Sequence, residues 1–145
     1  MKTKLLLLED DLTLNETIVE YFQDLDYDIV SIYDGDEAFD KIYENNFDLF
    51  LLDVNVPSMN GFELLKNVRE QGVNTPAIFI TSLNSMDSLE KGYESGCDDY
   101  IRKPFSLKEL HLRVQTILNR SFHHVHKEKL KINDDIYYDT NTNTL

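Results

Sequence analysis

Five short apolar runs, each followed by a segment with helical periodicity, constrain this chain more than any other feature of its sequence. The runs are Lys4 to Leu8, Asp28 to Ile32, Asp48 to Leu52, Ala77 to Ile80 and Asp99 to Arg102. They have the length of strands, and the near-continuous apolar character of the first, third and fourth is what a parallel strand buried on both faces requires. After the first run, Leu14, Ile18, Tyr21, Phe22 and Leu25 recur at steps of three and four, which predicts a helix from about Leu12 to Leu25 with one buried face. Further helices are expected over Asp36 to Asn45 (after an Asp34-Gly35 turn), Phe62 to Glu70, Met86 to Ser95 and Leu107 to Leu118, the last capped by Ser106. Strict alternation of five strands and five helices over residues 1–120 predicts an α/β fold with an open, doubly wound parallel sheet.

The 145 residues are 41% hydrophobic, enough for a core of ordinary size, and 27 acidic against 14 basic side chains leave a formal charge of −13. That sign argues against binding to a phosphate backbone, where affinity comes from Lys and Arg displacing counterions. Cys97 is the one cysteine, so no intrachain disulfide is possible. The leucine run near the start is too short for a signal peptide or a membrane span, and a cytoplasmic location is expected. Beyond Arg120 the composition becomes polar. Residues 121–131 read as a linker and 132–145, with Ile136, Tyr137 and Tyr138 as their apolar cluster, as the start of a second domain.

In an open parallel sheet the ligand crevice lies beyond the carboxyl ends of the strands. Those ends carry Glu9, Asp10 and Asp11, then Asp53, then Thr81 and Ser82, then Lys103 and Pro104. Crowded carboxylates repel one another unless a cation neutralises them. Mg²⁺, or Mn²⁺ in its place, meets that need because it takes oxygen ligands and keeps several waters. Asp10 and Asp53 are the expected direct ligands, with Glu9 acting through water. A phosphoryl group drawn to such an ion would meet Asp53, whose carboxylate is a competent nucleophile toward phosphorus. Lys103 would neutralise phosphoryl oxygens and the Thr81 hydroxyl would donate to another. Taken singly, these residues also fit solvated turns, helix caps or strand ends, and only the constellation points to phosphoryl chemistry.

With these residues identified, residues 1–120 closely resemble the receiver domain of bacterial two-component response regulators. LLLLEDD, LFLLDVNVPSMNGFELL, IFITS and GCDDYIRKPF follow one another with the spacing of that family's motifs. The resemblance implies a flavodoxin-like strand order of 2-1-3-4-5, a phosphoacceptor at Asp53 and a sensor histidine kinase as partner. It implies that Glu9, Asp10, Asp53 and the main-chain carbonyl of Asn55 hold the metal. Thr81 and Tyr100 would form a switch, and Lys103-Pro104 would be a cis peptide. DDYIRKPFSLKEL and KINDDIYYD further resemble the OmpR-type subfamily, whose receivers precede a winged-helix DNA-binding domain. Residues 132–145 would be the opening of that domain, truncated before its recognition helix, so DNA binding would rest with the missing part.

Members of that subfamily pair, when phosphorylated, through the last two helices and strand five. Asp99, Glu109, Arg113 and Arg120 match the positions of the charged pairs there, whereas Leu89 stands where a Lys or Arg is usual. Loss of one exposed pair costs about 0–1 kcal/mol, so a homodimer remains the expectation. Leu83, two residues after Thr81, cannot orient an attacking water, which implies an aspartyl phosphate lasting minutes or longer. His123, His124 and His126 read as solvated and are assigned no function. Other readings compete. A phosphatase of the haloacid dehalogenase type needs an acid where Asn55 stands, and a flavin-binding module would set a phosphate against Glu9, Asp10 and Asp11. A phosphorylation-independent interaction module would leave the acceptor set unused. The favoured reading is a signalling domain rather than an enzyme with an external substrate.

Overall fold

The computed structural model describes residues 2–82 and 86–133, with the backbone alone in the helical stretches 86–89 and 121–133. Strands and helices alternate as β1 (Lys4–Leu8), α1 (Leu12–Asp24), β2 (Asp28–Ile32), α2 (Gly35–Glu44), β3 (Leu49–Asp53), α3 (Gly61–Glu70), β4 (Ala77–Thr81), α4 (Met86–Glu94), β5 (Asp99–Arg102) and α5 (Leu107–Asn133). All strand pairs are parallel and the sheet order is β2-β1-β3-β4-β5. Register sets Leu8 beside both Ile32 and Leu52, Asp53 beside Ile80, and Thr81 beside Arg102, so the carboxyl ends of the strands form one edge.

The period of two along each strand sorts the core into two halves. Leu6, Leu8, Phe50, Leu52 and Phe79 pack on Ala38 and Ile42 of α2 and on Phe62, Leu65 and Val68 of α3. Leu5, Leu7, Leu49, Leu51, Ile78 and Ile80 pack on Ile18 and Phe22 of α1 and on Leu110, Val114 and Ile117 of α5. Both faces are covered, which is why the central strands tolerate no polar alternation. Four helices start on a side chain that accepts from the first turn. Asp11 accepts from the Leu14 N–H, Asp34 from that of Glu37, and Asn60 forms a reciprocal capping box with Glu63. Ser106 Oγ accepts from the Glu109 N–H at 3.0 Å.

Two sequence expectations are corrected. Asp34-Gly35 is the cap and first residue of α2 rather than a free turn. The Gly35 N–H donates to the Pro57 carbonyl at 3.1 Å, and a Cβ there would come within 1.7 Å of the Met59 carbonyl oxygen. Only glycine permits α2 to abut the β3–α3 loop so closely. The second correction concerns α5, which continues past Leu118 to Asn133. No Gly or Pro follows Arg120 to stop it, and its Lys, Glu and Leu residues sustain a helix. The stretch expected as a linker is therefore helical, as are Lys131 to Asn133, which were expected to open a strand. Residues 134–145 lie outside the described residues. Among the described residues no helix is long and apolar enough to cross a membrane.

Candidate functional site

Glu9 follows β1, Asp53 ends β3, Thr81 ends β4 and Lys103 follows β5, so four strands deliver their terminal side chains to the same edge. Lys103 Nζ lies 3.0 Å from Glu9 Oε1 and 3.2 Å from Asp53 Oδ2. Carboxylate oxygens of Glu9, Asp10 and Asp53 all lie within 4.8 Å of one another. Glu9, Asp53 and Thr81 are buried, whereas Asp10 is exposed. The Lys103-Pro104 peptide is cis.

Main-chain groups hold the central carboxylate. The Asn55 N–H donates to Asp53 Oδ1 at 3.2 Å, while the Asn55 side chain is exposed. The Gly61 N–H donates to the Val54 carbonyl at 3.0 Å, and a Cβ on Gly61 would come within 2.6 Å of the Asp53 carbonyl oxygen. Glycine thus lets the start of α3 close against the Asp53 backbone.

Three carboxylates against one ammonium leave a formal local charge of −3 + 1 = −2. Burial pushes the Glu9 carboxyl up to about 7, aided by the Asp53 charge and opposed by the Asp11 N–H and by Lys103. Burial disfavours the Lys103 charge, but hydrogen bonds and charges from Glu9 and Asp53 outweigh it and hold the ammonium above its ordinary range. One lysine therefore does not neutralise the pocket. A donor set made of carboxylate oxygens alone fits a hard divalent cation that keeps waters, and does not suit a thiophilic metal.

The remaining sequence candidates divide. Tyr100 is half-buried, packed against the core half that contains Phe79, and a Cβ on Gly92 of α4 would lie 3.4 Å from its ring. Asp99, Arg113 and Glu109 join within the chain: Arg113 Nη1 lies 3.0 Å from Asp99 Oδ1, and Nη2 lies 3.3 Å from Glu109 Oε2. Arg120 is exposed and stands outside that network. Leu83 and the side chain of Leu89 lie outside the described residues, as do those of His123, His124 and His126.

Sequence reasoning missed two residues. Asn15 is buried on α1 and its Nδ2 donates to the Glu9 carbonyl at 2.9 Å. Its signal was available, since a polar residue interrupts the stripe of Ile18 and Phe22 at helical spacing. Arg69, at the end of α3, donates to the carbonyls of Gly96, Val73 and Thr75 and so ties the α4–β5 turn to the lead-in of β4. Nothing local in the sequence announces those distant partners.

Comparison with known proteins agrees with this geometry. Residues 5–115 match the model of the response regulator receiver domain. The transcriptional regulatory protein CiaR of Streptococcus pneumoniae is 42% identical over 118 residues, covering 81% of this chain and 52% of that protein. CrdR of Helicobacter pylori, also a transcriptional regulatory protein, is 36% identical over 142 residues, covering 97% of this chain and 63% of that protein. The chain thus spans between about half and just under two thirds of the length of these relatives. Among solved structures, the receiver domain of the Francisella response regulator 1452 superposes with a TM-score of 0.79 at 37% identity, covering 83% of this chain and 99% of that one. The non-phosphorylated HemR receiver domain of Leptospira biflexa gives 0.76 at 32%, covering 81% and 94%. Motif match, identity, sheet order and the acidic edge agree that the chain belongs to the response regulator receiver domain family.

Proposed function

We propose that this chain is the cytoplasmic phosphoacceptor of a two-component signalling pair and that Asp53 receives the phosphoryl group from a sensor histidine kinase. One observation carries the reading: the buried Asp53 carboxylate is held between the Asn55 N–H and the Lys103 ammonium, beside Glu9 and Asp10. A carboxylate oxygen of Asp53 attacks phosphorus as the bond from phosphorus to the kinase histidine breaks. Lys103, already paired with that carboxylate, turns to the incoming phosphoryl oxygens, and Thr81 donates its hydroxyl to another. Asp10, Asp53 and the Asn55 carbonyl would hold Mg²⁺, with Glu9 acting through water. The ion supplies neutralising charge for the phosphoryl oxygens.

Phosphorylation favours one of two arrangements, in which Thr81 approaches the phosphoryl group and Tyr100 repacks over the α4–β5–α5 surface. That surface, with Leu89, Asp99, Glu109, Arg113 and Arg120, then pairs two copies. The names of the relatives CiaR and CrdR support transcription regulation as the output, carried by a winged-helix DNA-binding domain of OmpR type that follows the receiver unit of residues 1–120. Pairing two such domains doubles the DNA contacts, an avidity effect. Beryllofluoride, a phosphoryl mimic, tests the switch. With Mg²⁺ it should shift the amide resonances of Asp53, Thr81 and Tyr100 and convert monomer to dimer on gel filtration. Unchanged spectra and an unchanged mass would favour a phosphorylation-independent interaction module.

A further inference from the structure

We infer that Asn15 is a positioning residue for the metal-dependent chemistry of the Glu9, Asp10 and Asp53 pocket, acting through the Glu9–Asp10 peptide. The inference rests on the reading of that pocket as a Mg²⁺ site. Asn15 is 1% exposed and occupies the buried stripe of α1, in line with Ile18 and Phe22, where an apolar side chain would be the stable choice. Its amide faces the strand end instead. Asn15 Nδ2 donates to the Glu9 carbonyl at 2.9 Å, and the Asn15 backbone N–H donates to the Asp11 carbonyl at 2.8 Å. Glu9 is tied further, its N–H to the Ile32 carbonyl at 3.0 Å and its Oε2 to the Asp11 N–H at 3.0 Å. Asp11 Oδ1 accepts from the Leu14 N–H at 3.0 Å.

Asp10 is therefore carried between two residues whose backbones are both fixed by Asn15. The side-chain amide spans the junction from the first turn of α1 back to the end of β1 and sets the peptide plane from which Asp10 projects. Asn15 Oδ1 is buried and has no hydrogen-bond partner among the described residues, a site a buried water would satisfy. An acceptor left in that condition is poor core filling, and the donor on the same amide is what the position retains. Outer-shell groups that orient metal ligands in this way are worth about 10–100-fold in metal affinity.

The test is calorimetric Mg²⁺ titration of the whole chain, with the rate of phosphorylation by acetyl phosphate followed against Mg²⁺ concentration. Asn15→Leu suits the stripe and deletes the donor. Asn15→Ala deletes it with no demand for room and serves if the leucine variant does not fold. Ile18→Ala damages the same stripe without touching Glu9. The expected result is that either Asn15 variant raises the Mg²⁺ half-saturation about tenfold or more, while the plateau rate at saturating Mg²⁺ stays close to that of the unaltered chain. Ile18→Ala should leave the half-saturation unchanged. Unaltered Mg²⁺ binding in the Asn15 variants overturns the inference, and so does an equal loss in Ile18→Ala. If the unaltered chain itself shows no saturable Mg²⁺ binding, the metal reading fails and the role of Asn15 fails with it.

Discussion

Around Lys103, the Glu9 and Asp53 side chains are 0% and 5% exposed and the lysine side chain 25%. Around Arg113, the Asp99 and Glu109 side chains are 24% and 47% exposed and the guanidinium-bearing chain 37%. Both regions gather carboxylates about one cation, yet they reach different balances. In the first, burial removes water from the Glu9 and Asp53 carboxylates, with the exposed Asp10 beside them, and one ammonium cannot replace it, so Glu9 is pushed up to about 7. In the second, burial disfavours the Arg113 charge, but its pairing with Asp99 and Glu109 outweighs that and raises its pKa, while water screens the more exposed partners. The buried cluster therefore calls for a further cation. The exposed one is closed on itself, and any use of Asp99 and Arg113 between two copies begins by giving up a bond within one copy. Exchange of one ion pair for another contributes little net affinity, which shifts the weight of a dimer onto apolar neighbours such as Tyr93 and Leu112, each 53% exposed.

The largest effect expected lies beside Asp99 of the second region. Cys97, in the α4–β5 turn, is half-buried, and burial followed by the charges of Asp98 and Asp99 pushes its thiol up from 9.0 to about 12. A rise of 12 − 9 = 3 decades makes the thiolate about a thousandfold scarcer near pH 8. The greater nucleophilicity of a more basic thiolate returns part of that and restricted access adds to it, so a thiol reagent should react at least about a hundredfold more slowly with the folded chain than with the urea-unfolded one. Near-equal rates would show that burial and the Asp98 and Asp99 charges do not hold the Cys97 thiol in its neutral form. Next in size is Lys103→Met, which leaves the buried carboxylates uncompensated and should lower the unfolding free energy in metal-free urea titrations by about 3 kcal/mol, with a smaller loss in Mg²⁺. The smallest effect should come from Arg113→Met, less than about 1 kcal/mol and less again in high salt. Equal losses from the two substitutions would erase the distinction between the clusters.

Much of this arrangement was legible before any coordinates. The strands announced themselves because both sheet faces are covered, so Leu5 to Leu8 and Leu49 to Leu52 could carry no polar alternation. The placement of Asp53, Thr81 and Lys103 at one edge could be read because a parallel sheet delivers the residues after each apolar run there. What the sequence left open depends on partners distant in the chain. Glu9 and Asp10 are adjacent acids of one type, and only the fold buries Glu9 against Lys103 while leaving Asp10 exposed. The intrachain pairing of Arg113 with Asp99 depends on how α5 lies against β5. The Arg69 clasp depends on a loop that returns to the end of α3. The extra length of α5 is a different kind of miss, since the polar composition after Arg120 suggested a linker although nothing there breaks a helix.

The central claim is that the under-neutralised pocket is a phosphoryl acceptor centred on Asp53. Intact-mass spectrometry of the chain after incubation with acetyl phosphate, with and without Mg²⁺ and alongside Asp53→Asn, tests it most directly. The account predicts the gain of a single phosphoryl group that requires both Mg²⁺ and Asp53 and that persists for minutes. An adduct that forms on Asp53→Asn or without Mg²⁺, or no adduct at all, would contradict it.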